Sequence, residues 1–268
     1  MIPKKNKDPL LLKNCRPISL LNTDYKLATK FIAKRLEKVL PYLIDGDQTG
    51  YIEGRFIGEN IRLISDMIEQ HESKGGMILF LDFEKAFDSL EWNFLFKILK
   101  TMNFGPSFLY WIKTFYTNIS SCVVNNGYSS EFFSLQRSVR QGCPLSGLLF
   151  VLAVEPLAHQ IRIDESIKGL DNGNKITKLS MYADDNTAFF RDDSSAVSLL
   201  TLLDQFGDLS GLKINKFKTE GLWLGPLKSR LGKEEPSGIS WPKQYVIALG
   251  IAFPHQFQRE ARQTKKKF

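Results

Sequence analysis

The sequence predicts an α+β protein in which antiparallel strands carry carboxylates and helices back them. Three observations predict it. Met77-Ile-Leu-Phe-Leu81 is a short, wholly apolar run opened by Gly75-Gly76 and closed by Asp82, the pattern of a fully buried strand. Lys178-Leu-Ser-Met-Tyr-Ala183 and Asn186-Thr-Ala-Phe-Phe190 flank Asp184-Asp185 as two arms of a hairpin bent at an acidic pair. Amphipathic stretches with helical spacing alternate with these strands.

Taken in order, Asp24 to Leu40 opens the chain's regular structure as a helix ended by Pro41. Its apolar side is Leu27, Phe31, Ile32, Leu36, Val39 and Leu40. Lys26, Lys30, Lys34, Arg35 and Lys38 crowd the other side. Nucleic acid or plain solvent suits that basic face. Gly50, Gly54 and Gly58 lie in a turn-rich connector, too loosely spread for a phosphate loop. Asn60 to Gln70 is a second helix with Ile61, Ile64, Met67 and Ile68 inward. After the strand at 77–81, Asp88-Ser-Leu-Glu91 has the spacing of a capping box, which makes Asp88 a cap rather than a ligand. The helix it would open carries Phe94, Leu95, Ile98, Leu99 and Met102.

Gly105-Pro106 marks a break, and Phe108, Trp111, Ile112 and Phe115 then form a core-like stripe. Asn126-Gly127 predicts a hairpin with a type I′ turn. Ser138-Val-Arg-Gln-Gly-Cys-Pro-Leu-Ser-Gly147 is a loop feeding a buried helix from Leu148 to about Ile163. Arg140 and Gln141 stand at its entry, where a helix dipole favours anions. Ser195 to Leu209 is helical, and Gly211 to Lys218 turns into a strand around Leu222-Trp-Leu224. Residues 225–240 read as a polar linker. A last ordered stretch, Ile239 to Ile251, precedes a Gln/Arg/Lys tail.

The chemistry lies in the carboxylates. Adjacent Asp184 and Asp185 repel each other, and Asp82 at the mouth of a buried strand is costly unless paired or bound to metal. A divalent cation relieves both penalties, and hard oxygen ligands suit Mg2+, with Mn2+ as its substitute. A solvated turn is the plainer alternative for the pair. Three carboxylates from two strands suit a two-metal site, whose ions sit about 3.5–4 Å apart and clamp the attacking and leaving oxygens of a phosphoryl displacement.

The composition fits such a partner. The chain has 268 residues, 43% hydrophobic and 24% charged, with a formal charge of +7, enough for one large or two smaller domains. Residues 1–40 hold ten Lys/Arg against three Asp/Glu, and residues 259–268 hold five against one. Basic ends around a slightly acidic middle suit a phosphate backbone beside a metal centre. Cys15, Cys122 and Cys143 are scattered and odd in number, as are His71, His159 and His255. That spacing argues against zinc, a disulfide framework or a histidine triad, and for an intracellular, reducing compartment. No apolar run approaches a membrane span.

Several stretches together resemble the successive blocks of a non-LTR (LINE-type) retrotransposon reverse transcriptase. They are Asn14-Cys-Arg-Pro-Ile-Ser-Leu-Leu, Asp47-Gln-Thr-Gly-Tyr-Ile-Glu-Gly, Leu81-Asp-Phe-Glu-Lys-Ala-Phe-Asp, Arg140-Gln-Gly-Cys-Pro-Leu-Ser, Tyr182-Ala-Asp-Asp and Gly211-Leu-Lys-Ile-Asn-x-x-Lys218. The blocks follow the family's order across residues 3–251. The resemblance implies a right-hand polymerase. Residues 1–75 would be fingers, with 103–137 returning to them. Residues 76–102 and 138–224 would be palm, and 225–268 a degraded primer-grip region and basic tail. The same resemblance implies that the thumb would be missing or vestigial and the family's N-terminal endonuclease absent.

The resemblance also implies roles. Asp82, Asp184 and Asp185 match the metal-binding carboxylates, and Phe83 supplies a backbone carbonyl there. Phe87 falls on the steric gate that excludes a ribose 2′-hydroxyl, or is a core aromatic. Gln141, with Arg140, faces the incoming nucleotide, and Arg16 reaches its triphosphate. Lys218 protonates the leaving pyrophosphate, or is a surface lysine. Lys30, Lys34, Arg35 and Lys38 are candidates for nucleic-acid contact. Gly147 stands where the family usually has Pro. The implied partners are an RNA template, a DNA primer and dNTP, and the implied reaction is RNA-directed DNA synthesis. An RNA-templated RNA polymerase and an inactive nucleic-acid-binding remnant are the competing readings.

Overall fold

A computed structural model describes residues 2, 3, 8, 10, 11, 14–16, 18–173, 175–231, 238–242 and 244–254. The basic tail and the middle of the 225–240 linker lie outside these residues. A strand pair, β1 (Ile2–Pro3) and β2 (Cys15–Arg16), precedes α1 (Thr23–Glu37), α2 (Leu40–Leu43) and α3 (Ile57–Gln70). The apolar run forms β3 (Gly76–Leu81), followed by α4 (Ala86–Ser89), α5 (Trp92–Thr101) and α6 (Pro106–Phe115). Four two-residue strands, β4 (Ser120–Ser121), β5 (Val124–Asn125), β6 (Tyr128–Ser129) and β7 (Phe133–Ser134), pair as β4 with β7 and β5 with β6. The long α7 (Ser146–Ile163) leads to β8 (Leu170–Asn172), β9 (Lys175–Thr177), β10 (Leu179–Tyr182) and β11 (Asp185–Phe190). The chain continues through α8 (Asp193–Ser210) and β12 (Glu220–Leu224) to a 3-10 turn over Gly225–Arg230. A hairpin of β13 (Tyr245–Ala248) and β14 (Ile251–Pro254) closes it.

The central sheet runs β10-β11-β3-β12, antiparallel throughout. Side chains on a strand alternate between faces, and here both faces are covered. Met77, Leu79, Leu81, Ala188, Phe190 and Trp223 belong to the larger core with α5, α7 and α8 residues. Ile78, Phe80, Phe189, Leu222 and Leu224 pack on the other side against Ile64, Met67 and Ile68 of α3 and Val246 and Phe253 of the last hairpin. Two-sided burial is why β3 is apolar at every position.

Four local expectations change. Asp88 does not cap a helix: it lies within α4, and α5 begins only at Trp92 with Glu91 before it. The Glu91 N–H instead donates to Ser210 O at 2.9 Å, and Glu91 bridges Arg137, so this backbone is spent on tertiary pairing. In α1 the buried stripe is Thr29, Ile32, Ala33 and Leu36, while Leu27 (63% exposed) and Phe31 (67%) face outward. The helix stops at Glu37, so Val39 does not extend its face, and Pro41 sits inside α2. On α6, Ile112 and Phe115 are buried but Trp111 is not. Finally, the last strand runs past Ile251 to Pro254, because Phe253 stacks on Phe80 with ring centroids 5.9 Å apart. The Asn126-Gly127 turn forms as expected, both residues at positive φ.

Candidate active site

The acidic residues converge at one end of the central sheet. Leu81 pairs with Asn186, so Asp82 follows the last paired residue of β3 and Asp185 precedes its partner on β11, at the same end of the sheet. Tyr182 pairs with Asp185, so Ala183 and Asp184 form a two-residue turn. Asp184 and Asp185 are exposed and Asp82 is partly buried.

Their proximity shapes their electrostatics. The surrounding protein desolvates the Asp185 carboxyl and raises its pKa, and the charges of Asp184 and Asp82 raise it further. The Asp184 carboxyl is also pushed up, mainly by desolvation, with Asp82 adding to it and a backbone hydrogen bond opposing it. Asp82 Oδ2 is buried without a hydrogen bond and lies 3.5 Å from Lys218 Nζ. An ion pair at that distance on exposed side chains is weak. A buried, unbonded carboxylate oxygen beside two mutually repelling carboxyls fits a divalent cation. Among the described residues, however, no closed cluster of three or more His, Cys, Asp and Glu ligands is preformed. The three aspartates are electrostatic neighbours rather than a finished cage.

The segment after α8 is fastened to this strand end. Asn215 N donates to Asp82 O at 2.7 Å, Glu84 N donates to Lys213 O at 2.8 Å, and Phe83 bridges Ile214. Thr219 Oγ1 accepts from Asp82 N at 3.3 Å. This is how Lys218, 136 positions away in sequence, arrives beside Asp82.

Phe87 sits between two rings. It stacks on Phe150 (4.7 Å, 11°) and meets Tyr51 edge-on at 6.4 Å. The ring of Tyr51 fills the space beside Gly147, where a Cβ would lie 2.5–2.7 Å from its carbons. The loop bearing Arg140 is tied to Phe87, since Val139 N donates to Phe87 O at 2.7 Å. Arg140 itself lies over the Tyr25 ring at 4.6 Å, and Gln141 occupies the turn leading into α7. Burial, with Cys143 nearby, raises the Tyr25 pKa.

Of the remaining candidates, Lys30, Lys34, Arg35 and Lys38 are not drawn into this cluster. The backbone of Arg16 pairs with Ile2, and its side chain lies outside the described residues. Lys30, Lys34, Arg35 and Lys38 are exposed along α1 and just beyond it, with Lys34 paired to Glu37 at 2.7 Å. Sequence reading passed over Gln48, Tyr51 and Thr219, which touch the carboxylate turn or its neighbours. They carry no charge and show no periodicity; only their place in a recognisable block marked Gln48 and Tyr51. No helix of the described residues is long and apolar enough to cross a membrane.

The chain matches the family described as reverse transcriptase (RNA-dependent DNA polymerase) over residues 2–252. A Xenopus laevis protein called transposon TX1 uncharacterized 149 kDa protein is 36% identical, over 94% of this chain and 19% of that one. The retrovirus-related Pol polyprotein from type-2 retrotransposable element R2DM of Drosophila melanogaster is 30% identical, over 76% of this chain and 19% of that one. The chain thus spans about a fifth of the length of these relatives. Among solved structures it resembles telomerase of Candida tropicalis in complex with a fragment of telomeric RNA. The TM-score is 0.59 at 12% identity, over 86% of this chain and 36% of that one. Apo telomerase of the same yeast, truncated from its C-terminal domain, gives 0.54 at 13% identity, over 86% and 44%. The fold is therefore the α+β fingers-and-palm arrangement, and neither competing reading gains support from these matches. Strand register, ordered blocks and relatives agree: the chain belongs to the reverse transcriptase (RNA-dependent DNA polymerase) family, as a domain of the non-LTR retrotransposon kind.

Proposed function

We propose that this domain catalyses RNA-directed DNA synthesis, adding dNTP to the 3′-hydroxyl of a DNA primer on an RNA template. The observation that carries the reading is the meeting of Asp82 with Asp185 and the Asp184 turn at one sheet end. Asp82, Asp184 and Asp185, with the Phe83 carbonyl, would hold two Mg2+ ions, or Mn2+. Such ions supply Lewis-acid stabilisation of the attacking and leaving oxygens.

The chain's own residues do the rest. Phe87, wedged between Phe150 and Tyr51, presents a rigid wall to the sugar and excludes a 2′-hydroxyl. Arg140 and Gln141, on the loop bound to Phe87, face the incoming nucleotide, and Arg16 reaches its phosphates. Lys218, held beside Asp82 by the 211–219 segment, is placed to give a proton to the leaving pyrophosphate. The basic face of Lys30, Lys34, Arg35 and Lys38 takes the nucleic-acid backbone. Residues 1–75 and 103–137 form the fingers, and 76–102 with 138–224 the palm. Residues 225–268 would be a degraded primer-grip region and basic tail.

Primer extension with dNTP and Mg2+ tests the assignment through Asp184→Asn. Removing one of the charges that hold the ions should lower incorporation on the order of 10³-fold, the equivalent of about 4 kcal/mol of transition-state stabilisation. Undiminished product from this variant would remove Asp184 from the site.

A further inference from the structure

The turn that carries Asp184 has an unusual first residue. Two-residue hairpin loops ordinarily place Gly or Asn where the backbone takes positive φ, yet Ala183 stands there at φ 56. A residue with a Cβ adopts that conformation at a cost, so something outside the hairpin must hold it.

The structure shows what does. Residues 47–49 run parallel to the free edge of β10: Met181 N donates to Asp47 O at 2.8 Å and Thr49 N to Met181 O at 2.9 Å. From this segment Gln48, 1% exposed, turns its amide towards the bend. Its Oε1 accepts from Ala183 N at 2.9 Å and from Gly50 N at 2.8 Å. Gly50 packs so closely that a Cβ there would collide with Ala183 N. The other end of the amide, Nε2, is buried without a partner. A buried donor left unbonded is a penalty, so Gln48 is kept here for its acceptor alone.

We propose that Gln48 is a positioning residue for the acidic turn: by holding the Ala183 amide it keeps Asp184 and Asp185 on the side of the hairpin that faces Asp82, and so sets the affinity of the site for divalent cations. The inference rests on the metal-site reading given under Proposed function. Gln48 touches neither substrate nor ion; it acts through the backbone of the turn. Its sequence neighbour Asp47 and the side chains of Thr49 and Asn60 hold the same strand edge. Gln48 is the side chain of that segment that reaches the turn amide itself.

The test compares wild type with Gln48→Met, which keeps the volume and loses the acceptor. Two measurements apply: hydrogen exchange of residues 179–186, and Mn2+ affinity by electron paramagnetic resonance. In Gln48→Met the turn amide should exchange faster and Mn2+ binding should weaken by about tenfold, the scale of one buried hydrogen bond. Should Gln48→Met not fold, Gln48→Asn, one methylene too short to reach Ala183, is read in the same way. A lower melting temperature with unchanged Mn2+ affinity and turn exchange would make Gln48 merely structural and overturn the inference. Mn2+ binding that Asp184→Asn fails to weaken would instead defeat the carboxylate reading, and the inference with it.

Discussion

Arg162 supplies the sharpest test of how the segment around Asp47 is anchored. Its guanidinium donates two bonds to Asp47, Nε to Oδ2 and Nη2 to Oδ1, both at 2.8 Å, and a third from Nη1 to Glu155 Oε1 at 2.8 Å. The three side chains are only 20%, 18% and 10% exposed. Arg162→Met keeps the aliphatic stem and leaves two largely buried carboxylates without their cation. Removing one partner of a buried ion pair costs about 3–5 kcal/mol, and the residual exposure here places the loss near 3 kcal/mol. At about 2–4 °C per kcal/mol for a domain of roughly this size, the melting temperature should fall by about 6–12 °C.

The deficit should also depend on pH in a defined direction. Burial pushes the Glu155 carboxyl above its usual 4.5, and the hydrogen bond and charge of Arg162 hold it down. Without Arg162 the folded-state pKa rises further. The native state then binds more protons than the unfolded state between 4.5 and that raised value, so stability is regained as pH falls through this window. Thermal unfolding followed by circular dichroism at pH 7 and pH 5 checks both statements. A loss under about 1 kcal/mol, or a deficit identical at the two pH values, would refute the claim that this triad bears the anchoring load.

Two further outcomes follow from the same geometry. Phe87→Ala should admit ribonucleotides: selectivity for dNTP over NTP should fall on the order of 10–200-fold, the range for a reshaped apolar pocket, and competition assays showing no change would leave Phe87 a core aromatic. His71, 2% exposed with Nδ1 3.0 Å from Met67 O, has a pKa lowered from 6.5 chiefly by burial. Its contribution is complete above pH 6.5 and is lost as pH falls, because the unfolded state takes up the proton first; urea midpoints of wild type and His71→Gln should therefore converge from pH 7.5 to 5.5, and parallel curves would count against it.

Much of this was legible from local pattern. The buried strand, the acidic hairpin, the Asn126-Gly127 turn and the long helix from 146 all announce themselves through short-range periodicity and turn chemistry. Asp88 did not, since a capping spacing says nothing about whether the backbone is already paired elsewhere, as Glu91 is with Ser210. Leu27 and Phe31 misled for a related reason. An apolar stripe shows which helix face is greasy but not which side of the fold the helix will meet.

The residue order alone determined that three aspartates end two strands, because alternation, apolar runs and turn residues act over a few positions. Only the folded chain decided what surrounds them. The pairing of Asp82 with 215 and 219, the wedge of Phe87 between Tyr51 and Phe150, and the grip of Gln48 on Ala183 join positions from 36 to 137 residues apart. Contacts of that span are chosen by packing and backbone hydrogen bonding across elements, which no local pattern encodes.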